Sequence, residues 1–136
     1  MDKHELERRT KKFAVSVIRF VEDLPKNKIS DVLGYQLLKS GTSVGANYRE
    51  ANRAESRADF MHKIGIVEKE IAETQYWLEL FEEAGHGNSV ARTGLLKESG
   101  ELLAIFIAVG KSTRANKPKP VNPSIGRTPN LDSVRK

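Results

Sequence analysis

Residues 56–85, SRADFMHKIGIVEKEIAETQYWLELFEEAG, decide the fold. Within them Phe60, Ile64, Val67, Ile71, Thr74, Leu78 and Phe81 recur at intervals of 4, 3, 4, 3, 4 and 3 residues. Side chains three and four apart share one face of an α-helix, and a sustained repeat of this kind is the stripe by which helices pack in bundles. Ser56-Arg57-Ala58-Asp59 has the form of a capping box, with Ser56 as N-cap and Asp59 in place of the usual Glu. At the far end, Gly85 stands where a left-handed C-terminal cap is needed. Glu82 and Glu83 just before it oppose the helix dipole, a small cost that the cap has to outweigh. The spacing predicts one long amphipathic helix.

Three further segments have the same period. Over residues 3–24, Leu6, Thr10, Phe13, Val17, Phe20 and Leu24 are spaced 4, 3, 4, 3 and 4, with Ile18 and Val21 beside them. Pro25 stops that helix, because it lacks an amide donor and crowds the preceding turn. Over residues 28–54, Val32, Leu33, Leu37 and Leu38 mark the first buried face, and Val44, Tyr48 and Ala51 continue it. Ser40-Gly41-Thr42-Ser43 lies between, with low helix propensity, and predicts a kink near Gly41 or two consecutive helices. His86-Gly87-Asn88-Ser89 forms a loop into residues 90–112, where Leu95, Leu102, Phe106 and Val109 make one row and Leu96, Leu103, Ile107 and Gly110 the next. That helix is expected to end near residues 110–113. Nothing reads as a strand. Short connections between long helices favour antiparallel neighbours, so the expected fold is an all-α, up-down-up-down four-helix bundle over residues 1–113.

Composition narrows the function classes. At 136 residues the length suits one domain, able to bury a core without covalent staples. The chain has no Cys, which removes disulfides, thiol nucleophiles and Cys-based zinc sites. The first seven residues, MDKHELE, are charged and lack the apolar run of a signal peptide, and no apolar stretch is long enough to span a bilayer. A cytoplasmic protein without membrane contact is expected. The net charge is +5, from 23 basic and 18 acidic residues. Six of the bases (Arg114, Lys117, Lys119, Arg127, Arg135, Lys136) and one acid (Asp132) fall after residue 113, which leaves 17 of each sign in the bundle. The excess belongs to a Pro-rich segment, residues 114–136, which is too poor in large apolar residues to offset the entropy of ordering and is read as a flexible extension.

Two stretches resemble a known family. One is residues 35–51, YQLLKSGTSVGANYREA, and the other residues 60–81, FMHKIGIVEKEIAETQYWLELF. Both are similar to the signature of bacterial four-helix-bundle proteins first noticed as reading frames in intervening sequences of large-subunit ribosomal RNA genes and often labelled ribosomal proteins. The resemblance covers about residues 5–112. It implies a bundle that assembles as a ring, typically a homopentamer, with no catalytic residues. The family's fold is similar to the accessory variability determinant of diversity-generating retroelements, for which a basic surface that binds nucleic acid and a reverse transcriptase is implied.

Candidate functional residues follow from spacing. Gln36, Ser40, Ser43, Asn47 and Glu50 are spaced 4, 3, 4 and 3 and share one face of the second helix, with Gly41, Gly45 and Ala46 interleaved. They are candidates for a subunit or ligand surface, or for hydrogen bonds to a neighbouring helix inside the bundle. Tyr76 and Trp77 lie off the core row, where an aromatic pair serves as an interface anchor or widens the core. Arg8, Arg9, Lys11 and Lys12, with Lys117 and Lys119 of the extension, are the candidate contacts for RNA or DNA phosphates. The acidic third helix (Glu68, Glu70, Glu73, Glu79, Glu82, Glu83) has the opposite sign to the start of the first, which is suited either to subunit docking or to solvation. No metal or cofactor is expected. The nearest approach to a di-iron motif is Asp59-x-x-His62, and Gly41-x-x-x-Gly45 lacks the Lys-Ser/Thr of a phosphate loop. The expected function is a non-enzymatic, homo-oligomeric scaffold that binds a partner protein, with a nucleic-acid-binding accessory protein as the alternative.

Overall fold

The computed structural model describes residues 1–115. They form four helices: α1 Lys3–Glu22, α2 Lys28–Ala51, α3 Arg57–Ala84 and α4 Ser89–Ala115. Each start is fixed by a side-chain oxygen that accepts an otherwise unsatisfied backbone N–H. Asp2 caps α1 and forms a full capping box with Glu5. Asn27 caps α2 and Ser56 caps α3. The Asn88 carboxamide accepts from Ala91 N–H at 2.8 Å as α4 begins. Gly85 ends α3 at φ 71°, the left-handed conformation that glycine adopts without a Cβ penalty.

The helices run up-down-up-down. α1 packs along α2, α2 along α3, and α3 along α4, whereas α1 and α4 touch over a much shorter stretch. Five of the seven α3 stripe residues from Ile64 to Leu78 and on to Phe81 are fully or nearly fully buried apolar groups; Thr74 is buried with them, and Phe60 is half-buried. Two aromatic pairs cross the bundle on its diagonals. Phe20 of α1 meets Phe81 of α3 edge-on, with centroids 5.4 Å apart, and Tyr48 of α2 meets Phe106 of α4 at 5.0 Å. Edge-to-face geometry suits the ring quadrupoles.

The second helix is one helix rather than two, continuous through Ser40-Gly41-Thr42-Ser43. The hydroxyls of Thr42 and Ser43 donate to carbonyls one turn back, on Leu38 and Lys39, both at 2.7 Å, so they do not compete with the helix. The glycines serve packing: a Cβ on Gly41 would stand 3.0 Å from Val17 of α1, and one on Gly45 3.1 Å from Thr10. Val32, expected on the buried face, is exposed. The inward positions of that half are Ser30, Gly34 and Leu37, and at Gly34 the space is filled by Val21 of α1 and by Leu24, just past the end of α1. At the other end α4 runs on to Ala115, beyond the expected stop, and Arg57 Nη1 donates to the Thr113 carbonyl at 2.6 Å.

This inward face makes a contrast that denaturation can read. Leu37→Ala, at a fully buried position, is expected to cost roughly 2–5 kcal/mol of unfolding free energy. Val32→Ala, five residues away on the outer face, is expected to stay within about 0.5 kcal/mol.

Candidate interaction surfaces

The polar row of α2 lies along the seam with α3. Ser40 is 1% exposed, and its hydroxyl pairs at 2.9 Å with that of Thr74, whose Oγ1 donates to the Glu70 carbonyl at 2.7 Å. This buried pair ties the two helices inside the chain, so Ser40 is not available as a surface contact. Glu50, at the exposed end of the row, approaches Lys63 of α3 at 3.5 Å. Gln36, Ser43 and Asn47 are half-buried, and Asn47 Nδ2 donates to the Ser43 carbonyl at 2.8 Å.

Trp77 is half-buried against the core, and its indole N–H donates to Glu73 Oε2 at 3.1 Å. Tyr76 stands edge-on to it at 5.0 Å and is exposed. The two neighbours therefore part company: Trp77 widens the core and Tyr76 faces solvent. Beside them, burial raises the pKa of Glu70, reinforced by the like charge of Glu73. An acid whose folded pKa is raised binds its proton more tightly when folded, so its charge lowers stability once pH exceeds the folded value. Glu70→Gln is expected to raise the melting temperature at pH 7. The gain should vanish as pH falls toward the ordinary carboxylate range near about 4, as a thermal unfolding series across pH would show.

The short α1–α4 contact leaves a groove of about 870 Å³ on that side of the bundle. Its floor is Phe13, Phe20 and Leu95, its α4 wall includes Ala91 and Gly94, and its α1 wall carries Arg8, Arg9, Lys12 and Arg19. Arg9 is not an open cation. Its Nε and Nη2 hold Glu98 at 2.6 and 2.8 Å, and Nη2 reaches Glu101 at 2.7 Å, a bridge that pins α1 to α4. Hydrogen bonding to these carboxylates holds the guanidinium firmly protonated. Arg8, Lys12 and Arg19 are exposed and make no ion pair among the described residues. Lys11 is also exposed but does not line the groove. Arg19 was missed by reading the basic run alone, although its spacing of seven from Lys12 places it on the same face. Lys117 and Lys119 lie outside the described residues.

Arg92, which does not line the groove, is buried, and its Nη1 donates to the carbonyls of His86 and Gly87 at 2.7 and 3.2 Å, which fixes the α3–α4 loop over Phe20. Elsewhere, Ile18, Val21, Leu24, Tyr35 and Leu38 line a shallow depression of about 370 Å³ between α1 and α2. Among the described residues no cluster of His, Asp and Glu is placed to hold a metal ion, and no helix is long and apolar enough to cross a membrane.

Two glycines have no packing role in their own chain. A Cβ added at Gly65 of α3 or Gly94 of α4 would meet nothing within 4 Å. Glycine inside a helix is destabilising by roughly 0.5–1 kcal/mol relative to alanine. Gly65→Ala and Gly94→Ala are each expected to raise the unfolding free energy of the single chain by about that amount, measured by denaturation at low protein concentration.

Comparison with known proteins agrees with this architecture. Residues 2–108 match the family model described as 23S rRNA-intervening sequence protein. The chain is 35% identical to a protein of unknown function from the S23 ribosomal protein family of Bacteroides thetaiotaomicron, known from its crystal structure. The match covers 82% of this chain and 99% of that one, with a TM-score of 0.75. No curated protein matches the chain.

Proposed function

Because the chain belongs to the 23S rRNA-intervening sequence protein family, we propose that it works as a non-enzymatic, homo-oligomeric scaffold, a ring of five copies that presents a binding face to a partner protein. The observation that carries this reading is the apolar outer side of α1 and α2. Ile18 of α1 and Ile29, Val32 and Tyr35 of α2 are 39%, 52%, 51% and 60% exposed. Ile18 and Tyr35 share one depression with Val21 and Leu38. Isolated apolar residues on a surface are ordinary, but a contiguous group marks an interaction site. The glycines without an intrachain role support assembly, because they leave two helix surfaces thin enough for close approach.

Native mass spectrometry tests the reading. The expected mass is about five times that of the 15.2 kDa chain, and a single-chain mass at all concentrations overturns it. Val32→Glu with Tyr35→Glu is expected to keep the multimeric mass, since this face is assigned to a partner outside the ring. A fall to the single-chain mass would instead assign the face to assembly.

A second reading, an accessory protein that holds structured RNA or DNA, has the row Arg8, Lys12 and Arg19 in its favour. Such a row binds phosphate with release of counterions, so affinity falls steeply with salt. Salt-sensitive retention of a structured RNA, lost in the triple alanine variant at these positions, is its signature.

A further inference from the structure

Residues 1–113 carry equal numbers of acidic and basic side chains, but one side of a groove is rich in bases and the end of one helix face in acids. The basic surface is the α1 wall of the α1–α4 groove, with Arg8, Lys12 and Arg19. The acidic one is the outer side of α3. There Gly65, Lys69, Ala72, Tyr76, Glu79 and Glu83 recur at intervals of 4, 3, 4, 3 and 4, and every one of them is exposed. This is a second helical stripe, turned away from the buried one, with small residues at its start and Tyr76, Glu79 and Glu83 at its end. Glu79 and Glu83 make no ion pair among the described residues, and the last turn of α3 has no base to offset them.

We propose that a second copy of this chain lays the outer stripe of its α3 into the α1–α4 groove, with Glu79 and Glu83 against Arg8 and Lys12. The proposal rests on the self-assembling reading above and names the surfaces that join the copies. Three observations converge on it. Glu79 and Glu83 are four residues apart, as are Arg8 and Lys12, so each pair of charges is separated by about 6 Å along its helix. Gly94, a helix-interior glycine with no packing role in its own chain, lines the groove beside its basic wall, so a second helix can come close there. Finally, the end of the stripe supplies two acids, Glu79 and Glu83, for the two bases Arg8 and Lys12, while Arg19 shares the groove lining with Asp23. A polyanion is the poorer occupant, because it would leave Glu79 and Glu83 unmatched. The contact joins unlike surfaces. Copies related by it add head to tail and close into a ring when the rotation permits.

Charge reversal tests it. Arg8→Glu with Lys12→Glu, and separately Glu79→Lys with Glu83→Lys, are each expected to reduce the native mass to that of a single chain, with the helical circular-dichroism signal unchanged. A chain that carries all four substitutions has the complementarity restored in reverse and is expected to regain the wild-type mass. Either reversal leaving the mass unchanged, or a folded four-site variant that stays single, overturns this interface and leaves assembly itself standing. Arg8→Glu with Lys12→Glu that keeps the multimeric mass and loses only binding to a structured RNA hairpin overturns it in favour of a phosphate surface. A wild-type chain that is single at every concentration removes the assembly reading, and this interface with it.

Discussion

The approach of α1 to α2 sets the rest of the structure. Gly41 and Gly45 present bare backbone to Val17 and Thr10, and a Cβ at either place would stand 3.0–3.1 Å from its neighbour. Interiors are packed so tightly that one methyl group is felt. Without those Cβ atoms α1 settles deep against α2, and Val17 is completely buried there. Against α4, by contrast, α1 makes only a short contact. The fourth side of the bundle is then closed by the Arg9 bridge to Glu98 and Glu101 rather than by interdigitated apolar side chains. The groove, its basic wall and its apolar floor all follow from this asymmetry.

That asymmetry also explains why polar residues divide as they do. In the tight α2–α3 seam, Ser40 and Thr74 are buried and satisfy one another, since an unpaired hydroxyl there would lose its water without replacement. On the outer faces charges are not constrained by burial, and Arg8, Lys12 and Arg19 of α1 stand on a different helix from Glu79 and Glu83 of α3. A bundle with balanced charge thus offers polar surfaces of both signs, and the basic isoelectric point of the whole chain, whose excess falls after residue 113, says little about the bundle's partners.

Much of this was legible in residue order. The α3 stripe, the Ser56 cap, the left-handed Gly85 and the Pro25 stop each act through their own neighbours in sequence, within one or two turns, and the structure has them as read. Errors arose where a residue's role depends on a different helix. Ser40-Gly41-Thr42-Ser43 has the composition of a break, but its hydroxyls bond back to their own helix and Gly41 admits α1. Val32 has the hydrophobicity of a core residue, but Gly34 and Ser30 hold the inward positions because α1 fills the room there. Arg9 reads as one of four equivalent cations, yet only its direction toward Glu98, 89 positions away, makes it a bridge.

By itself, then, the sequence determined the all-α bundle, the approximate extents of its helices, the buried stripes of α1 and α3 and the family, because periodicity and capping are local properties of a chain with fixed helical geometry. Tertiary structure alone decided which polar side chains are buried, which cations are neutralised and which side of the bundle stays open. These depend on distances between helices, and such distances are set by the summed volumes of side chains far apart in sequence, down to the absence of a single methyl group at Gly41.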